Sequence, residues 1–286
     1  MKSIRFICLT SLVFSFWAVH VQFTAAQSTF SAQPLPSLDN FFETLVQHYD
    51  PSSLPKYDDV LKVVDQIPGT RAEAITKAIP AIFRALSHPD ENVATDAAFA
   101  LTVICYRPDC GMLLKDRIRE ISTMFDSLNP RLQGIPAVIF SNMKPLPPEG
   151  LRALVSFLRR TDRDQVAQAG AVFALVRLAP DKPEVMAAIQ EFLSRPLDSN
   201  SRVGALNALG TPGVNDTHLI AMVISSLDDA DHGVRLTAIR ALTRMGPNAL
   251  PQAQVRLQQL AEDHTQPADI RAAAKEALRV AGSASH

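Results

Sequence analysis

One short pattern recurs along the chain and constrains the fold more than any other feature. With Val234 as the reference position, Asp231 stands three places earlier, and Ala238, Ala241 and Leu242 stand four, seven and eight places later. The same register is found at six reference positions, separated by 33 to 37 residues: Val93, Pro130, Ala167, Ser201, Val234 and Ile270. A repeat of this period is typical of solenoid proteins.

The spacing indicates a helix with one buried face, because places 0, +4, +7 and +8 fall on one side of a 3.6-residue period. Four of the six units carry aspartate at −3, where a carboxylate is expected to cap the helix: Asp90, Asp164, Asp198 and Asp231. Four carry arginine at +1, placed to reach an aspartate of its own or a neighbouring unit: Arg131, Arg202, Arg235 and Arg271.

An apolar segment such as "LIAMVISSL" or "VMAAIQEFL" precedes each of these corners and predicts a first helix in every unit. Hydrophobic residues make up 47% of the chain, and there are 11 glycines, which suits an all-α protein. A single helix pair cannot bury its own apolar face, so the pairs are expected to stack. The sequence therefore predicts an all-α, right-handed solenoid of about six helix pairs.

The segment "LDDADHGVRLTAIRALTRMG" resembles HEAT repeats, in particular the short bacterial HEAT-like repeats also found in bilin (PBS) lyases. The resemblance extends over residues 71–282 and implies a HEAT-like or armadillo-like α-solenoid. The unit at Pro130 departs from the pattern because Pro130 and Pro136 fall within its second helix. We expect a kink or a shortened helix there.

The N-terminus predicts export. The basic "MKSIR" is followed by a long apolar stretch and by "TAAQS", with small residues placed for cleavage after Ala26. We therefore interpret residues 1–26 as a secretory signal peptide of a secreted or periplasmic protein with no membrane span after cleavage. An uncleaved anchor, which would make the chain a membrane-tethered envelope assembly factor, is the alternative.

The remaining boundaries follow from composition. Residues 27–70 are predicted to form a flexible lead and two amphipathic helices, in "LDNFFETLVQHY" and "YDDVLKVVDQI", that cap the solenoid. Residues 283–286 are predicted to form a short tail.

The net charge does not indicate nucleic-acid binding. Cleavage of the signal peptide removes Lys2 and Arg5 and leaves 26 basic and 29 acidic side chains, a net charge of −3. The sequence also has no basic stripe of the kind that binds nucleic acids.

Two cysteines remain after cleavage, Cys105 and Cys110, in "CYRPDC". A zinc site would need two further ligands that no nearby residues supply. In an oxidising compartment a local disulfide is the favoured interpretation. A redox-active pair is the alternative, although the two-residue spacing typical of such motifs is missing.

The acidic cluster Asp228, Asp229, Asp231 and His232 raises the question of a metal or acid–base centre. Aspartate recurs in the same register in other units, which a structural corner explains and a unique active site does not. The sequence contains no Gly-rich phosphate loop, no GxSxG and no HExxH motif. We therefore expect no cofactor and no enzymatic activity. An enzyme built on HEAT-like repeats, such as a bilin lyase, is the alternative that the resemblance implies.

The predicted function is a protein–protein interaction scaffold that binds a partner protein or peptide on its concave face. Places +2, +6 and +9 of the second helices point away from the predicted buried face. The candidate partner-binding residues on this stripe are Phe99, Leu132, Ile139, Phe173, Val176, Leu236 and Arg240. Cover by the chain's own helices and a homodimer contact are the alternatives for the apolar part of the stripe.

The signal peptide gives a first testable prediction. The exported protein should begin at Gln27, because the small residues that a signal peptidase requires precede that position. Intact-mass spectrometry and N-terminal sequencing of the exported protein measure this directly. Recovery of a chain that retains residues 1–26 in the membrane fraction would establish the anchor instead.

Overall fold

The structure is a computed structural model that describes residues 37–47, 57–211 and 214–283, and within these ranges the regular secondary structure is helical, without strands. The α-helices are α1 (Leu38–Gln47), α2 (Tyr57–Val64), α3 (Ala72–Leu86), α4 (Glu91–Cys105), α5 (Cys110–Leu114), α6 (Ile118–Thr123), α7 (Pro130–Gln133), α8 (Ile135–Asn142), α9 (Pro148–Arg159), α10 (Gln165–Leu178), α11 (Pro183–Leu193), α12 (Ser199–Leu209), α13 (Thr217–Ser225), α14 (His232–Met245), α15 (Leu250–Glu262) and α16 (Ala268–Ser283).

The helices form two layers. The second helices of the repeat units, α4, α8, α10, α12, α14 and α16, each pack against the next in an unbroken row. The first helices lie behind them, and contacts along that layer, such as α9 with α11 and α11 with α13, are sparser. The prediction of an all-α solenoid of stacked helix pairs is confirmed.

Aspartates at the corners start four of the second helices. The carboxylate of each accepts a hydrogen bond from a backbone N–H two or three residues later, and the shortest such bond in each unit measures 2.7 to 3.0 Å. These N-caps are Asp90 for α4, Asp164 for α10, Asp198 for α12 and Asp231 for α14. The −3 position therefore fixes where each of these helices begins.

Small residues allow the second helices to approach closely. A Cβ built on Gly170 would lie 4.0 Å from the Cβ of Ala137 on α8. At the end of α12, a Cβ on Gly210 would lie 2.9 Å from the Cα of Ala241 on α14 and 2.6 Å from the side chain of Arg244. The approach of α12 to α14 thus leaves no room for a side chain at Gly210.

The unit at Pro130 is irregular, and the predicted kink is confirmed. Its second helix is divided at Gly134 into α7 and α8, and Pro136 lies in the first turn of α8. Its first helix is also divided, into α5 and α6, with the 3₁₀ turn Lys115–Arg117 between them. The sequence had predicted one continuous apolar helix here.

The two predicted N-terminal helices are present as α1 and α2. Phe41 and Phe42 of α1 are buried and meet edge to face, with ring centroids 5.3 Å apart. Helix α1 packs against α3, and α2 contacts α4. The predicted signal peptide, the flexible lead at residues 27–36 and the end of the tail at residues 284–286 lie outside the described residues. No helix in the described ranges has the length and apolar character needed to cross a bilayer.

The predicted disulfide is not present. Cys105 ends α4 and Cys110 begins α5, and both are buried free thiols. Burial raises the pKa of Cys105, and the hydrogen bond between the two thiols raises it further. The protonated form is therefore favoured, and the buried environment supplies no cation to stabilise a reactive thiolate.

The close approach of α12 and α14 predicts that Gly210→Ala will lower the free energy of unfolding by about 1–3 kcal/mol, because the added methyl group overpacks the interface. Urea denaturation measures this change. Gly282→Ala in α16 is the matched control, since a Cβ there meets nothing within 4 Å. Equal midpoints for the two variants would show that the helix spacing does not depend on Gly210.

Candidate binding surface on the second helices

The acidic corner before α14 is engaged in structural contacts. Asp229 accepts a hydrogen bond from the backbone N–H of Asp231 at 2.8 Å and pairs with Arg202 of the preceding unit at 3.1 Å. Asp228 pairs with Arg256, and His232 lies 3.0 Å from Asp269. These side chains point to different partners and do not converge. Among the described residues, no three potential metal-ligating side chains form a group that could hold an ion.

The arginines at +1 serve the same corners. Arg235 donates to the carbonyl oxygens of Asp229 at 2.8 Å and Ala230 at 3.0 Å. Arg202 donates to the carbonyl of Leu197 at 2.9 Å, in addition to its ion pair with Asp229, and Arg271 donates to the carbonyl of Gln266. The side chain of Arg131 lies outside the described part of the structure. These arginines therefore hold the loop between first and second helix and are not available to a ligand.

The predicted apolar stripe needs correction. Leu132, Ile139 and Val176 are only 6%, 0% and 3% exposed, so they belong to the core and cannot contact a partner. The helical period alone places +2 and +9 on the surface, because it considers only the face that packs against the first helix. In the row, an inner second helix also packs against the second helices on either side of it, and these neighbours bury Leu132, Ile139 and Val176.

Three other predicted residues, Phe99, Phe173 and Leu236, are half-buried and pack against the core, whereas Arg240 is exposed. The exposed strip is therefore narrow and follows place +6. From the first unit to the last, this place holds Phe99, Pro136, Phe173, Asn207, Arg240 and Glu276. It changes from apolar and covered at the N-terminal end to polar and exposed at α12, α14 and α16.

A groove of about 490 Å³ lies at the exposed end of this strip, between α14 and α16. One wall is formed by α14 and the other by α16, with alanines on its floor. The residues that line it are Ile239, Arg240, Thr243 and Arg244 from α14, and Asp269, Ala272, Ala273 and Glu276 from α16.

The two walls differ in how their charges are compensated. On α16, Glu276 pairs with Arg279 at 2.7 Å and Asp269 bonds to His232, and each hydrogen bond lowers the pKa of its carboxyl group. On α14, Arg244 donates only to uncharged acceptors, the carbonyl of Gly210 at 3.1 Å and Oδ1 of Asn207 at 3.2 Å.

Burial, followed by the positive charge of Arg240, lowers the pKa of Arg244. Neither Arg240 nor Arg244 forms an ion pair with any carboxylate in the described ranges. The wall on α14 therefore carries two positive charges without counter-ions, whereas the acids opposite are already paired.

A second cavity, of about 540 Å³, lies near the start of α11 and α13, on the first-helix layer. Asp216 lines it, but its carboxylate is used to cap α13 through the backbone N–H of Leu219 at 2.9 Å. Gln190 also approaches this carboxylate, at 3.5 Å. Asp216 is thus structural, and the exposed Asp181 is the other carboxylate that lines this cavity.

Comparison with known proteins identifies the fold. A family model described as HEAT repeats matches residues 191–279. Among solved structures, the archaeal HEAT-like repeats protein from Thermococcus onnurineus NA1 has 18% identity and a TM-score of 0.52, over 88% of this chain and 99% of that one. A designed armadillo repeat protein in complex with the peptide (KR)4 has 17% identity and a TM-score of 0.42, over 86% and 100%. A search of curated proteins found no match.

The class of protein is an α-solenoid built from helix-pair repeats. Within that class, residues 191–279 match the HEAT-repeat family model, and this segment includes α12, α14 and both walls of the groove.

Sequence reasoning found Arg240 as a candidate and placed Thr243 at +9 on the same stripe, but it missed Arg244 and Asp269. Arg244 lies one turn beyond Arg240, and the i,i+4 spacing of two like charges on one helix is a signal that was present in the sequence. The opposite wall could not be inferred, because Asp269 belongs to the next unit and its position depends on how α16 packs on α14.

The corrected burial predicts different effects for two members of the original stripe. Ile139→Ala should lower the free energy of unfolding by about 2–5 kcal/mol, since it removes a fully buried side chain. Arg240→Ala should change it by no more than about 0.5 kcal/mol, as expected for an exposed position. Thermal or urea denaturation of both variants measures the difference. A small effect at Ile139 would restore it as a surface residue.

Proposed function

We propose that the protein is an exported interaction scaffold that binds a segment of a partner protein on the exposed second-helix face formed by α12, α14 and α16. The observation that carries the proposal is the groove between α14 and α16, where polar side chains surround a space of about 490 Å³.

The structure of the face supports binding of an extended ligand. The core beneath the groove is tightly packed, and Val234, Ala238 and Ile270 are completely buried. A groove held by a rigid core requires little ordering when a ligand binds, which favours affinity. Stacked repeats also offer a continuous surface along which one segment can contact successive units.

The proposed activity is binding without a chemical step. Thr243 is the hydroxyl side chain in the groove, and its Oγ1 donates to the carbonyl of Ile239 at 2.8 Å. Within the described part of the chain, the groove brings no nucleophile next to a base. The ring of His232 contacts the carboxylate of Asp269, which lines the groove.

Export is part of the proposal and is supported by the N-terminal sequence. The basic start, the apolar stretch and the small residues before Gln27 are the features of a secretory signal peptide. The partner would then be a protein of the periplasm or the extracellular space.

Site-specific photo-crosslinking in the producing cells tests the docking face. A photoreactive amino acid at Asn207 on α12 or at Thr243 on α14 should give adducts with the same partner. The matched control is Gln258, which is exposed on α15 in the first-helix layer and should give none.

Three outcomes would contradict the proposal. They are adducts from Gln258 but not from the second helices, no adduct from either second-helix position, and an adduct with a second copy of this chain, which would identify a homodimer interface.

A further inference from the structure

We infer that the groove between α14 and α16 binds an acidic segment of the partner, with Arg240 and Arg244 holding its carboxylates. This inference rests on the proposed docking function and adds the chemistry of the ligand. Three observations support it: the arginines on α14 have no carboxylate partner, the acids on α16 are already bonded to His232 and Arg279, and the floor of the groove is apolar.

The two arginines are placed to act together. They are four residues apart on α14, so both side chains lie on the same side of the helix and line the same groove. Asn207 and the carbonyl of Gly210 hold Nη2 and Nε of Arg244. Nη1 has no hydrogen-bond partner among the described residues, and the whole guanidinium of Arg240 is likewise without one. Both groups thus retain donors for a ligand.

In the rest of the described repeats, most arginine side chains pair with a carboxylate. Arg202 pairs with Asp229, Arg256 with Asp228 and Arg279 with Glu276. Like charges at i,i+4 are unfavourable on a helix, and partial burial of Arg244 adds to the cost of its charge. A carboxylate bound between the two guanidinium groups would remove both costs through charge-assisted hydrogen bonds.

The opposite wall indicates which kind of anion fits. Asp269 and Glu276 stay ionised, because their hydrogen bonds to His232 and Arg279 favour the charged form. A continuous row of phosphates would be repelled by these carboxylates, which argues against a nucleic acid. A peptide can place an acidic side chain against α14 and a backbone N–H or basic side chain against Glu276.

The floor of the groove suits a side chain with a short apolar stem. Ala272 is exposed and Ala273 half-buried, and both present methyl groups between the charged walls, while Ile239 is completely buried beneath them. The methylene groups of glutamate can contact these alanines while its carboxylate reaches Arg240. An acidic peptide therefore matches the groove in charge on both walls and in polarity on the floor.

The test uses fluorescein-labelled decapeptides in which glycine alternates with glutamate, glutamine or lysine, so that the glutamate peptide presents separated carboxylates and not a continuous row. Each peptide is titrated with the mature protein at low ionic strength, and binding is followed by fluorescence anisotropy. The glutamate peptide should bind and the other two should not. Arg240→Gln and Arg244→Gln should each weaken binding of the glutamate peptide by about tenfold, the effect expected from loss of one charge-assisted hydrogen bond.

Arg177→Gln is the matched control, because Arg177 is exposed on α10, outside the groove, and the substitution changes the net charge equally. It should leave binding unchanged. Arg240 makes no contact that the fold requires, so Arg240→Gln should leave the melting temperature unchanged. Weaker binding by this variant then reports the loss of a ligand contact and not unfolding, even if Arg244→Gln lowers the stability.

The inference is overturned if the glutamate peptide does not bind, if the glutamine peptide binds equally well, or if Arg177→Gln weakens binding as much as Arg240→Gln. Tighter, Arg240-dependent binding of a single-stranded oligonucleotide with the same number of charges would also overturn it and would identify a nucleic-acid ligand. Crosslinking from Asn207 and Thr243 to a partner, together with any of these results, leaves the docking function intact and removes only the acidic ligand.

Discussion

Close stacking of the second helices is the constraint on which the rest of the structure depends. Alanine and glycine at places +4 and +7 let one helix approach the next, and at Gly210 the approach leaves no space for a methyl group. Each inner second helix is consequently covered by its first helix and by both neighbours in the row, whereas α16, at the end of the row, has only α14 as such a neighbour. Little of its surface remains exposed, so the position of any binding site is decided by where the row opens.

The polar corners fix the register of that row. Aspartate caps set the start of the second helices, and side chains that cross between units tie one corner to the next. Gln165 accepts a hydrogen bond from the backbone N–H of Asp198 at 3.0 Å, and Arg195 donates to the carbonyl of Arg160 at 2.7 Å. Buried Gln168 donates to the same carbonyl at 2.7 Å. Such bonds hold adjacent units in one arrangement and keep the groove preformed.

Local features were predictable from the sequence, and features that depend on neighbouring helices were not. A cap such as Asp164 depends on residues within three places of it, so its role could be inferred from the repeat alone. The burial of Ile139 depends on helices from other units, and the helical period by itself placed it on the surface. The burial of Cys105 and Cys110 likewise depends on the packing around them, which their five-residue separation does not reveal.

The two ends of the solenoid differ in the residue type and the exposure at place +6, and this difference supports a binding role for the C-terminal groove. Where place +6 is apolar, at Phe99, Pro136 and Phe173, the side chains are buried or half-buried and serve stability. Where it becomes Asn207 and Arg240, the strip opens, and α14 holds two arginines that violate the preference against like charges one turn apart. Sequences break such local rules mainly where function requires it. An unpaired cationic wall beside a preformed groove costs stability in the free protein, and the acidic segment that we propose as its ligand would recover that cost.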